Sequence, residues 1–184
     1  MTAWIQTFTG MKIYPLRPDK KDVCILDIAH ALSNMCRFNG HCNTFYSVAQ
    51  HSIYVYEKIK EIAPDDKWLQ SAALLHDAAE AYLPDICRPI KSWFLGFQQK
   101  EEQLLKVIFE SCDLDWPNKK LWNLIKIYDD IALVTEARDL LDADFSHITK
   151  PSITPINFMS CFEAKCLFLD ICAKLHIQSG CSCK

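Results

Sequence analysis

A few residues in this chain are of types and spacings that could do chemistry: His51, the adjacent pair His76-Asp77, Glu80, and the neighbours Asp129-Asp130. Imidazole nitrogens and carboxylate oxygens are the donor atoms that hold divalent metals. On a helix each residue advances about 100°. With His76 as origin, Leu69, Ala73 and Glu80 fall within about 60° of it, and Ala72 and Ala79 flank them. A histidine and a glutamate one turn apart thus share a small, apolar face, the kind a helix buries. Asp77 sits at the edge of that face, about 100° round. A carboxylate buried without a partner is costly. A bound cation accounts for such groups; so does a hydrogen-bonded core histidine with two carboxylates reaching solvent at a helix end.

The same geometry separates the two later aspartates. Asp129 falls within about 60° of Ile125, Ala132 and Glu136, inside an apolar arc, whereas Asp130 is rotated about 100° further out. Asp129 is therefore the inward carboxylate, either a ligand or a partly buried group paired to a cation. His51 lies near the edge of an arc formed by Val48, Val55, Ile59 and Ile62, where a core, surface or ligand role is open.

The elements that must position these residues read as helices. Residues 1–21 form an extended, hairpin-like opening segment closed by Pro15 and Pro18. Asp22 is expected to cap a helix over 22–38, ended by Asn39-Gly40. Further helices are expected over 45–62, 66–82, 98–112, 118–142 and 157–177, with a proline-bracketed loop over 83–89 and a short helix over 89–96. His51, His76, Asp77, Glu80 and Asp129 then come from the second, third and fifth principal helices.

The bulk composition bounds the function. A length of 184 residues suits one domain, and only 4 glycines argue against many short strands joined by glycine turns. The net charge of −3 opposes a broad grip on a nucleic-acid polymer but leaves room for a small anion held by two or three cations. The opening residues show no signal-peptide pattern, and no apolar run approaches a membrane span, so a soluble, cytoplasmic protein without a membrane partner is expected. The 10 cysteines contain no C-x-x-C pair and are expected to be reduced. Cys36, Cys166 and Cys172 are expected inside helices as small hydrophobes. Cys181-Ser-Cys183 is expected to be a frayed tail.

The order His51, then His76-Asp77, then Asp129 resembles the H…HD…D signature of the HD superfamily of metal-dependent phosphohydrolases. The resemblance runs over residues 7–142. It is closest to small bacterial and phage enzymes acting on nucleotides, above all phage-type dATP triphosphohydrolases. The blocks that carry it are Ala31-Leu-Ser-Asn-Met-Cys-Arg-Phe-Asn-Gly-His41, Tyr46-Ser-Val-Ala-Gln-His51, Leu74-Leu-His-Asp-Ala-Ala-Glu80, Asp85-Ile-Cys-Arg-Pro-Ile-Lys91 and Thr135-Glu-Ala-Arg-Asp139.

The resemblance implies an all-α, compact helical bundle with a short extended N-terminal segment. It implies metal ligation by His51, His76, Asp77 and Asp129, with a divalent transition metal (Co, Mn, Zn, Fe or Ni) and room for a second Mg, Mn or Co. Glu80 would handle the proton of the attacking water, and Asp85 would assist or hold the second metal; a loop N-cap is the other reading of Asp85. Arg37, His41 and Lys91, with Arg88 as an addition, would bind phosphate. Phe38, Tyr46, Trp93 and Phe97 are candidates for a base-stacking wall, or plain core. The implied activity is hydrolysis of a deoxynucleoside triphosphate, dATP favoured, to deoxynucleoside and triphosphate. A deoxynucleoside 5′-monophosphatase and a non-catalytic nucleotide-binding module are the alternatives. Homo-oligomers are common in the superfamily. Residues 143–184 lie outside the strongest likeness and are expected to form a C-terminal helical extension of the same domain, serving as packing or an interface.

Overall fold

Apolar side chains at helical spacing, four of the runs opened by a capping side chain, build most of this molecule. A computed structural model describes residues 3–179. It is an all-α protein: among the described residues the seven helices are α1 (Ile25–Asn34), α2 (Val48–Ile62), α3 (Lys67–Leu74), α4 (Arg88–Lys91), α5 (Phe97–Ser111), α6 (Lys119–Leu141) and α7 (Cys161–Lys174). The expected hairpin is present as β1 (Ile5–Gln6) paired antiparallel with β2 (Lys12–Ile13). Its turn passes through Gly10 at φ 84°, and the Thr9 amide and hydroxyl both donate to buried Asp27, which pins the hairpin to α1.

Ser47 opens α2 by accepting the Gln50 amide, Asp66 opens α3 through Leu69, and Asn118 opens α6 through Leu121. Ser160 and Glu163 form a reciprocal capping box on α7. One core gathers Ile28 and Leu32 of α1, Val55 and Ile59 of α2, Leu69 of α3, Leu104 and Ile108 of α5, Ile125 of α6 and Phe168 of α7. Each such side chain contributes about 1.5–3 kcal/mol by leaving water. Helix α2 is central, packed on α3, α6, α1 and α7, while α7 covers α1. No helix among the described residues is long and apolar enough to cross a membrane.

Three expectations need correction. The first helix spans Ile25–Asn34 rather than 22–38: Asp22 ends a 3-10 turn capped by Asp19, and Cys24 is the α1 N-cap. Residues beyond Asn34 leave the helix because Cys36 bridges Ser47 in extended pairing. The second helix opens at Val48, not at residue 45, since Ser47 is the cap. The third does not continue through residue 82: α3 stops at Leu74, and a 3-10 turn covers Ala78–Ala81. The other bounds shift by a few residues at each end, Ser160 delaying α7 to Cys161. Cys172 is buried in α7 as expected, but Cys36 lies outside any helix and Cys166 is exposed. Cys181 and Cys183 lie outside the described residues.

Candidate metal centre and its cavity

The break after α3 is what assembles the centre. In a continuing helix the Ala73 carbonyl would serve the amide four residues on. Here it meets the His76 imidazole, with Nδ1 at 2.8 Å. The chain turns through Leu75 (φ −95°, ψ 4°) and Asp77 (φ −107°, ψ 14°) and tightens to i, i+3 bonds, Ala78 to Leu75 and Glu80 to Asp77. Side chains of sequence neighbours, which a helix would splay by about 100°, converge instead. His76 Nε2 lies 3.1 Å from Asp77 Oδ2.

His51, fully buried on α2, and Asp129, buried on α6, complete the cluster. His51 Nε2 is 3.3 Å from His76 Nε2, 3.2 Å from Asp129 Oδ1 and 3.5 Å from Asp77 Oδ2. One donor atom from each of His51, His76, Asp77 and Asp129 lies within 4.8 Å of all the others. Asp130, as the helical geometry required, stays outside the cluster; it lines the neighbouring cavity and pairs with Arg88 at 2.6 Å.

The hydrogen bonding decides what can sit between these atoms. A carbonyl only accepts, so His76 carries its proton on Nδ1. His51 Nδ1 lies 2.7 Å from Glu136 Oε1, and Glu136 Oε2 accepts from Arg37 Nε at 2.8 Å. With both Nδ1 atoms engaged as donors, two imidazole lone pairs face each other and two carboxylates. Four acceptors converge with no donor among them, which requires a proton or a cation. Ligands about 2.0–2.2 Å from one ion lie roughly 3.0–3.5 Å apart when adjacent in its shell; the three His51 distances and His76–Asp77 fall in that range, while His76 Nε2 and Asp129 Oδ1 are 3.9 Å apart. This cluster could hold a metal ion.

The charges respond to the crowding. Burial and the Arg37 guanidinium oppose protonation of His51, but Glu136, Asp129 and Asp77 outweigh them and hold its pKa well above the usual value. Burial would raise Asp77 and Asp129; the imidazoles and Lys126, 3.1 Å from Asp129 Oδ2, hold both below the usual carboxylate range instead. Glu80 goes the other way. Burial, then Asp77 and Asp85, push it well above its usual pKa against Arg37 and Lys91. Its Oε2 is buried with no hydrogen-bond partner among the described residues. Burial likewise raises Asp85, in the loop before α4, and Asp85 caps no helix: the α4 N-cap is Cys87.

A cavity of about 770 Å³ opens beside the cluster, its lining including His76, Asp77 and Glu80 together with Trp116 and Trp122. The expected phosphate-binding residues divide. Lys91 and Arg88 line the cavity but are paired, Lys91 with Glu101 at 2.6 Å and Arg88 with Asp130. Arg37 is committed to Glu136 and sits just after the first helix, where its amide pairs with the Tyr46 carbonyl and consecutive left-handed residues, Phe38 and Asn39, turn the chain. His41 is exposed at the end of that turn and does not line the cavity. None of the aromatics expected as a wall lines it either: Tyr46 is buried in a second small cluster against which Phe38 packs, Trp93 is 84% exposed, and Phe97 lies under Lys91.

Four residues were not foreseen: Glu136, Lys126, Trp116 and Trp122. Glu136 and Lys126 share the inward face of α6 with Asp129, seven residues after it and three before it, and that register was the available signal.

No family model matches the chain. Uncharacterized protein YfdR of Escherichia coli (strain K12) is 39% identical over 138 residues, which cover 75% of this chain and 72% of that protein. The chain belongs to the YfdR family. An uncharacterized protein of Rhodobacter capsulatus is 39% identical over 111 residues, 58% of this chain; the chain spans just over half, 56%, of that relative. The names of these relatives state no activity, so chemistry for a YfdR-family chain has to be argued from the centre itself.

Proposed function

We propose that this chain is a divalent-metal-dependent phosphohydrolase of the HD type, acting on deoxynucleoside triphosphates with dATP preferred. One observation carries the reading: four acceptor atoms from His51, His76, Asp77 and Asp129 converge beside a cavity lined by Glu80, a buried glutamate whose Oε2 has no hydrogen-bond partner among the described residues. The mix of imidazole and carboxylate suits Mn, Co, Fe, Ni or Zn, and Asp85 offers a carboxylate toward a second ion. When bound, such an ion supplies Lewis-acid chemistry to a phosphoryl group and acidifies water.

The protein supplies the rest. Glu80, buried at the cavity beside His76 and Asp77, takes the proton of the attacking water and passes it on. Water oxygen bonds to the α-phosphorus, the bond from that phosphorus to the 5′ oxygen breaks, and the 5′ oxygen leaves with the proton, giving deoxynucleoside and triphosphate. Lys126 and Arg88, beside Asp129, offset negative charge on the phosphate. Arg37 and Glu136 act behind His51, fixing the tautomer that leaves Nε2 available.

A second reading, a deoxynucleoside 5′-monophosphatase, is favoured by the pairing of the cavity's cations. Lys91 and Arg88 are each held by an acid and His41 lies outside, so a short phosphate needs fewer rearrangements than a long one. Chromatographic analysis of products from a panel of deoxynucleoside mono- and triphosphates, with Mn or Co added, separates the two. Deoxyadenosine plus triphosphate from dATP supports the first; nucleoside plus phosphate from monophosphates supports the second; no turnover of any compound by metal-loaded protein sinks both. Glu80→Gln is expected to keep metal and lose at least about 100-fold in turnover.

A further inference from the structure

Part of the cavity lining has a chemistry of its own. Trp116 and Trp122 line it, from the segment before α6 and from its first turn. Their rings lie 5.2 Å apart at an interplanar angle of 34°, and Phe109 packs edge-on against Trp116 with centroids 5.3 Å apart. The wall is thus rigidly backed by α5. Both tryptophans pack against the main core yet keep part of their surface open to the cavity. Lys126 gives the scale. Its ammonium lies 3.1 Å from Asp129 Oδ2 and 5.6 Å from the centre of the Trp122 ring, so one side chain reaches from the acidic cluster to the aromatic wall. Lys119 also lines the cavity, and no ion-pair partner engages it among the described residues.

We infer that Trp116 and Trp122 form the base-binding wall of the substrate site, so that the ligand is a phosphate ester bearing a flat aromatic group, as a nucleotide does. This rests on the phosphohydrolase reading for the phosphate end and adds the residues that select the other. A volume of about 770 Å³ lies within the range of small-molecule sites and accommodates both ends of a nucleotide. Indole faces bind bases by stacking without regard to their hydrogen-bonding edges. The wall therefore selects for a base over none, while the choice among bases lies with other groups.

The test is calorimetric binding of 2′-deoxyadenosine 5′-monophosphate and of 2-deoxyribose 5-phosphate to the full chain with Mn present. The nucleotide is expected to bind roughly 5- to 150-fold more tightly, the worth of one stacked base. Trp122→Leu should remove most of that preference and leave the sugar phosphate's affinity unchanged, and Trp122→Phe should retain much of it. Equal affinities in the wild type overturn the inference without recourse to any variant, as does a preference that survives both Trp116→Leu and Trp122→Leu. A preference that depends on the tryptophans, in a protein that hydrolyses nothing, removes the hydrolase reading and leaves the wall standing. Failure of both compounds to bind overturns both.

Discussion

Glu136 spends both carboxylate oxygens inside the protein, one on His51 and one on Arg37. Its effect on a metal is therefore exerted through another residue. Glu136→Gln would present an amide nitrogen as readily as an oxygen to His51 Nδ1, and a donor there moves the imidazole proton to Nε2, the atom needed for ligation. Metal affinity, read by competition with a chromophoric chelator, is expected to fall roughly 10- to 100-fold. An unchanged affinity would show that His51 holds its tautomer without help. The variant also leaves the nearly buried Arg37 without an anionic partner, and a loss of about 3 kcal/mol in unfolding free energy is expected from denaturant melts. Glu80, which bonds to none of the four ligands, serves as the contrasting position: its substitution leaves metal affinity alone.

At the scale of elements, one carboxylate is among the groups that hold the segment between α6 and α7. Asp139 Oδ2 accepts the Ile156 amide at 3.0 Å, and Arg138 bonds both Asp139 and the Ser152 carbonyl. Arg138 first, and then the Ile156 amide, against partial burial, depress the Asp139 pKa below 3.8. A depressed carboxylate stabilises the fold above its unfolded pKa and loses that contribution as pH falls through the folded value. Asp139→Asn should therefore lower the urea midpoint at pH 7, and the gap from wild type should close below about pH 4. A gap that stays constant with pH would assign the effect to packing.

Element type was legible in the sequence because apolar periodicity reports the buried face of each helix. That is why the inward Asp129 could be told from Asp130, and why α5 and α6 lie within a residue or so of their expected bounds. The break at Leu75 was not legible. Its residues, Leu74-Leu-His-Asp-Ala-Ala-Glu80, contain no glycine or proline, and the interruption comes from the His76 ring meeting the Ala73 carbonyl. Periodicity assigned His76 and Glu80 to one face correctly in outcome, since both line the cavity, but by a helix that is not there. The Trp116–Trp122 wall escaped notice for a different reason. Aromatics at those spacings read as core, and only the position of α6 beside α5 opens one side of them.

For the molecule as a whole, the candidate ligands come from α2, the turn after α3, and α6, so one ion would tie together three elements far apart in sequence. A metal should therefore act as a clamp on the fold. At a concentration about 100 times its dissociation constant, stabilisation is about 2.7 kcal/mol, which for a chain of this size corresponds to a rise of roughly 5–10 °C in melting temperature. The shift should saturate with Mn or Co, reverse with chelator, and vanish in His76→Ala and Asp129→Ala. A shift that persists in both variants would place the stabilising ion elsewhere.

Helix α7 has a further consequence, for how the chain comes off the ribosome. It lies over α1 and contributes Phe168 and Ile171 to the core, and the backbone just before it, at Met159, donates to Gln50 Oε1 one residue from His51. Synthesis runs from the N-terminus, so every donor atom of the centre has been made before the helix that covers α1 and steadies α2. During that interval the nascent chain carries an uncovered apolar groove, and docking of α7 is the step that closes it.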